Sequence, residues 1–182
     1  MAKHFKEKQS VFQSTPFKRT GKIVLLVMVT ASLLLNLFTF IMPVVKYYGN
    51  SMSPTLDDGQ ILIVNKMAEV KGGDIIAFYY NNKILVKRII AFPGDWVDLD
   101  ADGNVFVNGQ KLEEPYLADK AYGDVNIELP YQVPDGKIFV MGDHRSTSAD
   151  SRNTAVGCVA EEQIVGKMVL RVWPFRAFGT IE

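Results

Sequence analysis

A mainly β domain behind a single apolar helix is the fold class this sequence of 182 residues predicts. Three observations lead there. An uncharged apolar run, Ile23–Val45, stands near the N-terminus. Runs rich in β-branched and aromatic residues follow it at short intervals. Turn pairs such as Asn81-Asn82 and Asn108-Gly109 separate those runs.

Residues 1–22 form a polar tail in which Lys3, Lys6, Lys8, Lys18, Arg19 and Lys22 face only Glu7, although the whole chain is neutral. Residues 23–45 are long enough, at roughly 1.5 Å per residue, to cross the ~30 Å hydrocarbon core as a helix. They exceed the h-region of a cleaved signal peptide and end in Met42-Pro43-Val44-Val45-Lys46-Tyr47-Tyr48, so a retained anchor is expected. Tyr47 and Tyr48 read as interfacial aromatics. The basic flank predicts a cytoplasmic N-terminus and an extracytoplasmic domain over residues 46–182. Beside such a span, a nucleic-acid arm is the weaker reading of the tail, and no nucleic-acid partner is expected.

In the domain, Gln60–Lys66, Asp74–Tyr80 and Lys83–Phe92 read as strands, the last two joined by Asn81-Asn82. Asp95–Asp100 and Asn104–Val107 follow, joined through Asp102-Gly103. Residues 110–134 are polar and weakly periodic, a loop-rich insertion with room for a short strand at Val125–Leu129. Lys137–Gly142 and Gln163–Trp173 return as strands, and Glu161 and Glu162 suit one helical turn before the second.

Three segments offer chemistry. Ser51, in Ser51-Met52-Ser53-Pro54-Thr55-Leu56, lies just beyond the apolar run and needs a base to become nucleophilic. Alternation puts Lys87 on a face with Leu85, Ile89 and Ala91, where burial would lower its pKa and make it a base. Alternation alone favours the other reading, a lysine that snorkels at a strand edge or sits exposed on a bulge. The third segment, Gly142–Arg152, is dense in hydroxyls, carboxylates and guanidiniums, either an orienting loop or a solvated turn. Cys158 is the only cysteine; its apolar setting reads as core, and no intrachain disulfide is possible. With His4 in the tail and His144 the other histidine, a histidine-rich metal site is ruled out.

Together the apolar run, Ser51–Leu56, Gly73–Phe78, Lys87–Asp95, Gly142–Arg145 and Ser148–Arg152 resemble the type I signal peptidases, membrane-bound bacterial leader peptidases. The resemblance implies an antiparallel β-sheet or barrel-like catalytic domain and a Ser–Lys dyad, with Ser51 as nucleophile and Lys87 as general base. It implies that Ser148 orients the lysine, that Asp150 and Arg152 support it, and that Met52 stands beside the substrate pocket. Leu56, Ile76, Leu85 and Val86 are further candidate pocket walls, with core packing as their default role. It also implies signal peptides of secreted preproteins as partners, a bacterial plasma membrane location, contact with the lipid bilayer, and no metal or cofactor. The backbone N–H of Ser51 would serve the oxyanion; Gly49 stands where some members place a second, serine, donor. Two rivals remain: a self-cleaving Ser–Lys regulator, which would need a soluble DNA-binding segment before the serine, and a non-catalytic tethered β module.

Overall fold

The computed structural model describes residues 16–181. Most of the basic tail, with Lys3, His4, Lys6, Glu7 and Lys8, lies outside the described residues. The chain divides into two compact units, one ending at Phe38 and one beginning at Thr39.

The first unit is the bulk of helix α1, Pro16–Ile41. From Thr20 to Ile41 it is long and apolar enough to cross a membrane, and its side chains are exposed instead of packed in protein. Polar residues within it are satisfied locally: Thr30 Oγ1 donates to the Leu26 carbonyl and Asn36 Nδ2 to that of Ser32. The helix stops short of Val45. Pro43 has no N–H to continue the ladder and disfavours helical backbone at the residue before it. Val44–Lys46 instead forms strand β1, paired with β2 (Ile61–Asn65).

The second unit continues with β3 (Ile75–Tyr80), β4 (Lys83–Ala91), β5 (Trp96–Leu99), β6 (Val105–Val107), β7 (Gln110–Lys111), β8 (Tyr131–Gln132), β9 (Lys137–Met141), β10 (Val159–Ala160), β11 (Ile164–Trp173) and β12 (Gly179–Thr180). The larger sheet runs β1-β2-β11-β3-β4-β9-β10, with β12 also on β11; the smaller runs β7-β6-β5-β8. All recorded pairings are antiparallel. The expected antiparallel β-sheet domain is thus present as two open sheets, and no closed barrel forms.

Local chemistry explains several junctions. Asn81 at the β3–β4 turn has φ +50°, and Asn108 and Gly109 have φ +52° and +76°, the left-handed pair a tight hairpin requires. Glu161–Gln163 makes the expected helical turn before β11. Val125–Leu129 is not a strand; Ile127 and Leu129 pack individually against the core while the backbone stays irregular.

The centre of the larger sheet, most of β3 and the later half of β4, is buried on both faces. Ile75 and Ala77 of β3 join Tyr47, Met52, Leu56, Leu62 and Val86 in one cluster, while Ile76 and Phe78 join Ile89 and Val140 in another. Burying both faces explains why β4 reads as a continuous apolar run interrupted only by Lys87 and Arg88.

Candidate active site

Ser51 sits in a turn held by its own sequence. The Ser53 N–H donates to the Asn50 carbonyl at 3.0 Å and the Leu56 N–H to that of Met52 at 2.9 Å. Met52 and Leu56, both fully buried, plug the turn into the first core cluster and leave Ser51 half-exposed between them and solvent. Gly49, at φ +101°, gives its N–H to Asp58 Oδ1 at 2.7 Å and lets the chain enter the turn.

The polar loop after β9 docks on this turn. The His144 N–H donates to the Ser51 carbonyl at 3.0 Å. Gly142 lies so close that a Cβ there would overlap the Ser51 carbonyl oxygen and the Ser148 side chain. His144 itself turns its ring to Thr147, 2.8 Å from Nδ1. Asp150 Oδ2 accepts the Gly142 N–H at 3.0 Å, and Arg152 grips both carboxylate oxygens at 2.9 Å. Burial alone would raise the Asp150 pKa; the hydrogen bond and charge of Arg152 outweigh it and hold the carboxyl below its usual range. Arg152 is fully buried and completes its contacts on the carbonyls of Tyr122 and Arg145. Ser148 is buried too. Its hydroxyl lies close enough to help hold Asp150 down, yet it makes no hydrogen bond of good geometry.

Lys87 lies on β4 opposite Ile76 and is only 3% exposed. The snorkelling and exposed-bulge alternatives do not hold. Leu85 and Ile89 share one apolar cluster as alternation predicts, but Ala91 belongs to another, because a register shift between Ile89 and Ala91 breaks the alternation. Burial pushes the Lys87 ammonium down to about 8; Asp150 opposes this, Arg152 assists it, and Asp143 opposes it.

Arg88 is buried as well, clasping Asp143 through Nε at 2.9 Å and Nη2 at 2.7 Å. Thr55 Oγ1 donates to the same carboxylate, so one ion pair joins the serine turn, β4 and the polar loop. The Arg88 guanidinium also stacks 3.8 Å from the Tyr116 ring centroid. The Tyr116 hydroxyl donates to Glu114, which is paired with buried Arg145. Sequence reasoning missed Thr55, Arg88, Glu114, Tyr116 and Asp143 as site supports. The ion-pair and hydrogen-bond partners of Thr55, Arg88, Asp143 and Glu114 lie 31 to 88 residues away, and Glu114 and Tyr116 fall in the segment read as loop.

A groove of about 610 Å3 runs past Ser51, lined by Val45, Tyr47, Tyr48 and the strand segment Asn82–Val86. Leu85 and Val86 stand in its wall, whereas Met52, Leu56 and Ile76 lie in the core. Tyr48 is exposed as an interfacial aromatic would be, but Tyr47 is buried. Lys83–Val86 pairs with β3 on one side only, since β9 engages β4 from Arg88 onward, and β1 is the outer strand of its sheet. Among the described residues, backbone edges therefore remain free at the groove. Cys158 is elsewhere, its Sγ 3.9 Å from the Tyr131 hydroxyl, and burial pushes its thiol up.

A family model described as signal peptidase, peptidase S26, matches residues 18–173. The chain is 42% identical over 161 residues to a signal peptidase I of Bacillus caldolyticus, covering 80% of this chain and 86% of that protein. It is 38% identical over 182 residues to signal peptidase I T of Bacillus subtilis (strain 168), covering 93% and 92%. A crystal structure of a signal peptidase I from Enterococcus faecalis V583 aligns with a TM-score of 0.48 at 31% identity, covering 55% of this chain and 97% of that one.

Proposed function

The chain belongs to the signal peptidase, peptidase S26, family, and on that premise we propose that it is a membrane-anchored endopeptidase in which Ser51 and Lys87 form a catalytic dyad. The observation that carries the reading is the environment of Lys87. A lysine held near pKa 8 by burial supplies a substantial neutral fraction at mildly alkaline pH. It follows Val86, which lines the groove with Ser51, and it feels the charges of the loop that docks on the Ser51 carbonyl.

Neutral Lys87 Nζ takes the proton from Ser51 Oγ, and the oxygen attacks the scissile carbonyl. The Ser51 N–H donates to the oxyanion. The lysine ammonium protonates the leaving amine, and the neutral lysine then activates water to release the acyl group. Asp150 and Arg152 set the electrostatics around Lys87, and the buried, otherwise unbonded Ser148 hydroxyl is the group assigned to orient the neutral amine. The preprotein lies extended in the groove, adding its backbone to the free edges at Lys83–Val86 and β1. Leu85 and Val86 line the pocket for the small residues before the cut.

Helix α1 is the anchor, with residues 1–22 cytoplasmic and the domain from about residue 46 outside the bacterial plasma membrane. Incubating a preprotein with the full chain in detergent tests the chemistry: Ser51→Ala and Lys87→Arg are each expected to abolish cleavage while the fold persists. Arginine keeps the charge but cannot deprotonate at accessible pH. Full cleavage by either variant refutes the dyad. Protease added to intact spheroplasts is expected to digest the domain and spare the tail; a protected domain refutes the topology.

A further inference from the structure

Tyr47 carries a hydroxyl at the nucleophile that the dyad leaves unused. It lies just after β1 with 4% of its surface exposed, and its ring packs in the cluster that holds Met52 and Leu56. Two polar atoms meet its hydroxyl. The Met52 N–H donates to the phenol oxygen at 3.0 Å, and Ser51 Oγ stands 3.4 Å away. The first contact occupies a lone pair and leaves the Tyr47 proton in need of an acceptor. Among the described residues, Ser51 Oγ is an acceptor in reach. Either hydroxyl can donate across that contact; the direction that gives the buried Tyr47 proton an acceptor is Tyr47 O–H to Ser51 Oγ, behind Met52 N–H to Tyr47. A serine oxygen that accepts from Tyr47 must direct its own proton elsewhere.

We propose that Tyr47 is a catalytic residue whose hydroxyl donates to Ser51 Oγ at rest and to the oxyanion during attack. This rests on the reading of Ser51 and Lys87 as nucleophile and base. In the step, the Ser51 O–H bond breaks and its proton passes to Lys87 Nζ. The Oγ–C bond forms, and the carbonyl π pair moves onto the carbonyl oxygen. That oxygen is then bonded to the same carbon as Oγ, within reach of a donor already beside Oγ. The packed ring and the Met52 N–H hold the donor in place before the charge appears, so no reorganisation is needed when it does.

The test uses the full chain in detergent with a preprotein substrate. Loss of a closely placed oxyanion donor costs roughly 10²–10³ in kcat; for this longer contact Tyr47→Phe is expected to lower kcat about 10- to 100-fold. KM should change by less than about twofold, since the bond to the oxyanion exists only in the transition state. Installing 4-aminophenylalanine at position 47 restores a weaker N–H donor on the same ring and should recover part of the loss. Wild-type kcat in Tyr47→Phe overturns the proposal, as does an aminophenylalanine enzyme no faster than the phenylalanine one. Should Tyr47→Phe fail to fold, the near-isosteric aminophenylalanine enzyme decides: a kcat below wild type at unchanged KM supports the donor role, and a wild-type kcat overturns it. Ser51→Ala is run alongside. Cleavage by that variant refutes the nucleophile assignment itself, whereas an inert Ser51→Ala beside a fully active Tyr47→Phe removes only the role of Tyr47.

Discussion

Replacing Lys87 by methionine separates the catalytic role proposed for the lysine from what its burial costs the fold. Its ordinary pKa of 10.5 falls to about 8 in the folded chain, chiefly through burial. At 1.36 kcal/mol per pH unit, that gap means the folded state pays about 3 kcal/mol to keep the ammonium charged. The sign follows from proton counting. Between pH 8 and 10.5 the unfolded chain holds a proton that the folded chain has released, so wild-type stability rises with pH across that window. Below about pH 7 both states are protonated and the full penalty applies. Lys87→Met carries no such proton. Its stability advantage over wild type should therefore shrink by about 2 kcal/mol between pH 7 and pH 9.5, groups common to both proteins cancelling in the difference. Urea unfolding of the full chain in detergent, followed by circular dichroism, measures it. Parallel stability profiles for the two proteins would refute a buried, depressed lysine. The same pKa fixes the activity profile. A base at about 8 is roughly 10% neutral at pH 7 and 90% neutral at pH 9, so wild-type kcat/KM should rise about tenfold between them, and acid should inhibit.

Gly142→Ala places a Cβ against the Ser51 carbonyl and Ser148; kcat should fall by about 10²-fold as the serine turn is displaced, read in the preprotein assay. Asp143→Asn breaks the buried pair with Arg88, and urea unfolding should register a loss of about 3–5 kcal/mol, because the guanidinium is left uncompensated. Cys158→Ala should leave the cleavage rate unchanged, and the native thiol should react slowly with alkylating reagents at neutral pH, since burial holds it protonated.

Features that depend on neighbours along the chain are legible in the residues alone. The apolar run became a helix, the β-branched runs became strands, and Asn81-Asn82 and Asn108-Gly109 became tight turns, because each is decided by a few adjacent residues. The short motifs also single out Ser51 and Lys87 as the candidate nucleophile and base. Pro43 shows the limit of an apolar tally, ending the helix four residues before the hydropathy did. Which face of a strand meets which neighbour is set by long-range packing. Lys87 was ambiguous because one strand cannot reveal that both its faces are covered, nor that a register shift follows Ile89. Tyr47, next to a membrane-like run, reads as an interfacial aromatic until the turn at residues 51–56 folds back and puts its hydroxyl under Ser51. Glu114, Tyr116, Arg145, Arg88 and Asp143 are unremarkable charges and rings in the chain. They become one buried network because desolvated charges must find partners, and the fold brings those partners together from segments dozens of residues apart.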